Sequence, residues 1–334
     1  MDMQPQQSNW MLWQEQETAR ARLKRQALYV GCCLLGILLA QFVFPLLFSP
    51  MLARASLMME QQHFLGFLAY MLVYDVLYCL MLLLPTLLLT LGFRQQIRPF
   101  AGRERVGGSA FWLTAAGGLA LCVLANYIVS IVMNFLTAFG IQPTTGGETE
   151  VFPGGGYLII NLISSALLPA FVEELVFRGY LMGALRPFGD RRAIVMSALL
   201  FGLLHGNMTQ VPFAFLLGLV FGYLMAKTNN LLIPIAIHFL NNAMAVLLEQ
   251  AGLYLNEDML GLIQMTVFAL IALIGGVSLL VLSGNDHRLT RPIADTASPL
   301  DATHQTGILY SSPTIVLSIV LMILTILLGA FLNI

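Results

Sequence analysis

Apolar residues fall in long runs separated by short polar breaks, at 27–48, 64–92, 109–140, 157–186, 191–205, 211–226, 231–252, 259–283 and 313–333. Crossing a hydrocarbon core of about 30 Å takes roughly 20 apolar residues in helical form, so the pattern predicts an all-α, polytopic transmembrane bundle of about nine spanning or embedded helices. The runs at 191–205 and 211–226 are short and are expected inside the bundle, behind longer neighbours. The chain then divides into a polar N-terminal segment 1–26, N-terminal transmembrane helices over 27–150, a core over 151–255, and C-terminal helices over 256–334. A polar stretch at 284–312, with Pro292 and Pro299, reads as a flexible loop before the last helix.

Composition agrees with a membrane protein: 58% of residues are hydrophobic and 10% charged, against about 45–50% and about 25% in a soluble domain. No basic domain or aromatic-interleaved stripe points to nucleic acid, and none is expected as a partner. Cys32, Cys33, Cys79 and Cys122 lie inside predicted spans without paired spacing and read as small apolar filler. The N-terminus does not read as a cleavable signal, because the first apolar run is too long and follows a long polar stretch.

Positive charge alternates between loops. Arg20, Arg22, Lys24 and Arg25 precede the first run; Arg94, Arg98, Arg103 and Arg105 follow the second; Arg186, Arg191 and Arg192 follow the fourth; Lys227, Arg288 and Arg291 continue the series. The intervening loops carry Glu148 and Glu150, no charge at 206–210, or Glu257 and Asp258. The positive-inside rule therefore predicts a cytoplasmic N-terminus and an external C-terminus. A bacterial cytoplasmic membrane is the expected location, with the endoplasmic reticulum as the eukaryotic alternative.

Against this apolar background three polar clusters stand out: Glu173-Glu174-Leu175-Val176-Phe177-Arg178, then Phe201 and His205, then His238 and Asn242. A charge at mid-bilayer costs about 2.5–3.5 kcal/mol on the most lenient scale, so buried acids and bases of this kind mark a functional site by default. Counting helical rise from the basic end of each run puts Glu173 and His205 both about 20 Å deep, with His238 and Asn242 at roughly 10 and 16 Å. Glu174 with Arg178, Phe201 with His205, and His238 with Asn242 are each four residues apart and share a helix face. Glu173 is turned about 100° from Glu174, which frees the two acids for different roles.

A carboxylate beside an imidazole in a poorly hydrated cavity can hold a water and remove its proton. Glu173 is read as the general base and His205 as its partner. Attack on a peptide carbonyl forms an oxyanion that needs pre-aimed donors, a role that fits His238 and Asn242. Glu174 with Arg178 is read as structural support or a hold on the substrate backbone. Glu173, His205 and His238 are also an adequate zinc set with an open position, so the cofactor stays open between none and zinc. The helical zinc signature HExxH and cysteine ligand pairs are both absent, and no serine elbow is found.

These residues resemble the CPBP (ABI) family of intramembrane proteases, which includes the type II CAAX prenyl endopeptidases and whose pattern is EExxxR, FxxxH and HxxxN on successive membrane helices. Here the pattern is met by Glu173, Glu174 and Arg178, by Phe201 and His205, and by His238 and Asn242, within about 157–250. The resemblance implies a helical fold with a cavity open toward the cytoplasm, a protease core over 151–255, and hydrolysis by water activated at Glu173 and His205, with His238 and Asn242 at the oxyanion. It implies as partners the lipid bilayer and a peptide or protein substrate, in some members a prenylated one.

Other readings remain beside it. A non-catalytic scaffold or bacteriocin-immunity factor would use the same cavity to hold a partner. A proton-coupled transporter is disfavoured by the lack of repeat symmetry. Asn241 and Asp75 are read as packing residues or partners of another helix. Gly202, Gly206, Gly218 and Gly222 are read as sites of close helix contact.

Overall fold

A computed structural model describes residues 4–100 except 61–63, 106–141, 151–285, 289, 292–293 and 298–332. Its regular structure among the described residues is helical: α1 Gln4–Glu60, α2 Phe64–Gly92, α3 Gly108–Ala138, α4 Gly155–Phe188, α5 Asp190–Leu204, α6 Gln210–Thr228, α7 Leu232–Gly252, α8 Glu257–Asn285, α9 Ala302–Tyr310 and α10 Pro313–Leu332. All nine expected helices are present. Eight are long and apolar enough to cross a membrane, which makes the chain a multi-pass membrane protein. The exception, α5, has 15 residues and is largely buried, as its short apolar run suggests.

Two elements differ from expectation. The first helix starts at Gln4 and runs for 57 residues, because Gln, Glu, Ala, Arg, Leu and Lys between 14 and 26 are good helix formers and offer no break. The expected flexible loop contains α9, started by Asp301, whose carboxylate accepts the His304 backbone N–H at 2.8 Å. Arg192 anchors it by donating to Gln305 Oε1 at 3.1 Å and Thr306 Oγ1 at 3.0 Å. Arg103, Arg105, Glu148, Glu150, Arg288 and Arg291, used in the charge argument, lie outside the described residues.

Packing forms two apolar clusters. One joins α1, α4, α5 and α10 through residues such as Leu34, Phe177, Leu200 and Ile315. The other joins α3, α6 and α7 through Cys122, Phe221 and Ile237. Close approaches are set by small residues: a Cβ on Gly218 would stand 2.9 Å from the Ala198 backbone, and one on Gly202 2.9 Å from the Val211 carbonyl oxygen. Gly206 differs from the expectation of close contact. It has φ +75° with open space around it, and it follows His205 at the end of α5, where glycine is the residue that tolerates this conformation.

Helix α4 is not regular. Pro169 has no N–H, so the Ser165 carbonyl loses its α-helical donor there. Residues Leu162–Leu167 are wound as π-helix, and a second π stretch, which holds no proline, covers Leu175–Leu181. Glu173 and Glu174 lie in the α-helical turn between them.

Candidate functional site

The three motifs meet. Glu173 from α4, Phe201 and His205 from the end of α5, and His238 and Asn242 from α7 line one cavity of about 120 Å³, closed by Gln210, Phe213, Ala214 and Leu217 of α6. Depth counting had set the α7 pair lower than Glu173. Shared lining places His238 and Asn242 beside the other two clusters.

Behind the cavity, Arg178 donates from Nη1 to Glu174 Oε1 at 2.8 Å, with both side chains fully buried. Sequence spacing had anticipated this pair. The spacing did not show that the same Glu174 oxygen also accepts from His238 Nδ1 at 3.0 Å. A carboxylate has no proton to give, so that bond fixes the proton on Nδ1 and turns Nε2 toward Glu173 Oε2, 3.8 Å away. His205 is fixed in the same sense, since its Nδ1 lies 2.8 Å from the Phe201 carbonyl oxygen, which can only accept. Its Nε2 is therefore the nitrogen left for a partner outside its own helix.

The phenylalanine of the second motif has a packing explanation. Arg178 stands 4.3 Å from the Phe201 ring centroid and 5.3 Å from that of Phe221, so two aromatic faces share its charge. Phe201 also meets His205 and His238 edge-on, at 4.9 and 6.0 Å, while Phe221 stacks on His238 at 5.4 Å. One aromatic pair thus holds both imidazoles and the arginine.

Asn242 is placed by the irregularity of α4. Ser165 lies four residues before Pro169, so its carbonyl has no α-helical N–H partner there, and Asn242 Nδ2 donates to it at 3.2 Å. Asn241 Nδ2 donates to Asn242 Oδ1 at 3.2 Å. With its oxygen engaged and one amide hydrogen spent, Asn242 keeps a second N–H for the cavity. Asn241 was expected to pack or bond between helices; its described bond stays within α7, to its neighbour Asn242.

Tyr78 of α2 was not singled out by the sequence; its hydroxyl donates to Glu173 Oε1 at 2.5 Å. Asp75, one turn earlier, accepts from Ser164 Oγ at 2.6 Å, which gives this acid the partner on another helix that was expected. Glu173 Oε2 is buried without a hydrogen-bond partner. As to zinc, Glu173, His205 and His238 share the cavity, but among the described residues no three His, Cys, Asp or Glu side chains are placed to hold a metal ion. The arrangement does not fit a formed zinc site, and no step is derived through one.

Fold and site define a polytopic helical membrane protein with a small acid–imidazole cavity between its helices. Residues 155–244 match the family described as type II CAAX prenyl endopeptidase Rce1-like. Among curated proteins, the chain is similar to YdiL of Bacillus subtilis (strain 168), whose name proposes a membrane peptidase, at 24% identity over 159 residues, 47% of this chain and 64% of that protein. It is also similar to the membrane-embedded CAAX protease MroQ of Staphylococcus aureus (strain USA300), at 27% over 139 residues, 40% and 56% respectively. The chain thus spans less than two thirds of the length of either relative. No solved structure matches. The family match and the two relatives support the resemblance to the CPBP family that the motifs carry.

Proposed function

We propose that this protein is an intramembrane endopeptidase of the CPBP type, hydrolysing a peptide bond with water activated by Glu173 and His205. The observation that carries the reading is convergence: residues from three separate helices, each costly to bury, line one cavity large enough for water and a carbonyl group. A structural ion-pair network alone would require Glu174 and Arg178 but not the cavity-facing Glu173, His205 and Asn242.

In this mechanism Glu173 Oε2 takes a proton from water, whose position His205 fixes through Nε2. The hydroxide adds to the peptide carbonyl carbon, and the negative charge that develops on the carbonyl oxygen is met by the free N–H of Asn242 and by His238 when Nε2 also carries a proton. Glu173 then returns its proton to the leaving amine as the C–N bond breaks, giving a new carboxylic acid, which passes its own proton to the amine, and hence a carboxylate and an ammonium group. Glu174 holds His238 in place, and Arg178 balances Glu174.

The substrate is a peptide or protein segment reached within the bilayer. The family match and the Staphylococcus relative favour a C-terminal, lipidated segment of the prenyl-cysteine kind. Arg22, Arg98 and Arg186, from three basic segments, line one cavity, which supports placing these segments together on the cytoplasmic side. Because both relatives are bacterial, a bacterial cytoplasmic membrane is the proposed location.

The test is a panel of fluorogenic peptides, with and without a farnesylated C-terminal CAAX cysteine, offered to purified, metal-analysed protein. Cleavage that depends on the lipid locates the substrate class, and metal content that tracks activity assigns the zinc chemistry instead. A folded protein that cleaves none of the panel, yet retains a bound partner on purification, would favour the scaffold reading.

A further inference from the structure

We propose that Tyr78 is a positioning residue for Glu173, so that α2, outside the segment that carries the motifs, completes the site. This rests on the reading of Glu173 as the base. A glutamate side chain has three rotatable bonds and two equivalent oxygens, and a base is effective only if one oxygen faces the water. Here the Tyr78 hydroxyl donates to Oε1 at 2.5 Å, the short end of the O–H···O⁻ range and among the stronger hydrogen bonds a carboxylate can accept. Oε1 is thereby turned away from the proton transfer. Oε2 is left buried, without a hydrogen bond, and 3.8 Å from His238 Nε2. No other hydrogen bond to the Glu173 carboxylate is found among the described residues, so the tyrosine holds Oε1 and leaves Oε2 to the His238 side of the site. The α2–α4 seam is pinned one turn away by the bond from Ser164 to Asp75, which keeps the phenol at a fixed distance from the acid.

The experiment compares wild type with Tyr78→Phe, which removes only the hydroxyl, and with Tyr127→Phe as a control at an exposed position of α3. Infrared difference spectra of glutamate-labelled protein, assigned with Glu173→Gln, read the carboxylate directly. A shift of the Glu173 band in Tyr78→Phe and none in Tyr127→Phe supports the contact, and an unshifted band overturns it. On a cleaved peptide, loss of a charge-assisted hydrogen bond predicts a kcat lower by about 10- to 100-fold with KM within about twofold. In the Glu173→Gln background the same change should add nothing. An unchanged kcat, or equal loss in both backgrounds, would overturn the positioning role. If wild type cleaves no peptide, the protease reading falls, and the infrared arm still decides whether Tyr78 orients Glu173.

Discussion

Removing the Arg178 guanidinium should be among the most damaging single changes in this protein. Arg178 and Glu174 are both fully buried and joined at 2.8 Å, and Arg178 also lies over the Phe201 ring at 4.3 Å. Arg178→Met keeps much of the volume but leaves Glu174 with His238 as its one remaining polar partner, at 3.0 Å. Breaking a buried pair from one side costs about 3–5 kcal/mol, chiefly because the surviving charge is uncompensated. Two facts hold the expected value to the lower part of that range: Arg178 Nε and Nη2 and Glu174 Oε2 already lack hydrogen-bond partners, so the intact network carries part of the burial cost. Adding Glu174→Gln removes the orphaned charge while keeping an acceptor for His238 Nδ1. The double variant should therefore recover at least about 1.5 kcal/mol relative to Arg178→Met. Reversible unfolding in mixed micelles measures both. An Arg178→Met protein within about 1 kcal/mol of wild type, or a double variant weaker than the single one, would refute the reasoning.

Two further changes probe how local sequence places the site. Pro169→Ala supplies the N–H that the Ser165 carbonyl lacks, so Asn242 loses its anchor to competition from the helix; kcat should fall about 3- to 30-fold while stability holds or rises, as steady-state kinetics beside unfolding would show. Asp301 carries the pH-dependent cap of α9. The backbone and side-chain donors of His304 lower its pKa, so the cap is intact above the ordinary aspartate range and is lost as pH falls through that range and below it, which a nitroxide at Thr303 should report as rising mobility on acidification.

The long apolar runs made the helices legible, since a bilayer imposes length and composition with few exceptions. The pairing of Glu174 with Arg178 was legible too, because it lies within one helix and depends on spacing alone. Contacts between helices were not. Tyr78 is one of several tyrosines in the α2 run, and nothing in a linear pattern relates it to an acid 95 positions on. The second role of Glu174, at His238, was hidden for the same reason, 64 positions apart. Depth counting assumed an even helical rise; α4 contains two π stretches, and that assumption fails there. Some signals were present and unread: Pro169 marked the Ser165 carbonyl as available, and Asp301, a strong N-cap residue type two positions after Pro299, marked the start of α9.

Glu173 is the residue on which the proposed hydrolysis depends. The direct measurement is hydrolysis of the best-cleaved peptide by purified wild type and Glu173→Gln in the same lipid, with folding checked by thermal unfolding. Loss of a positioned general base predicts a fall of about 10²- to 10⁴-fold in kcat with stability retained. A well-folded Glu173→Gln protein that hydrolyses the peptide at the wild-type rate would show that this cavity is not where water is activated.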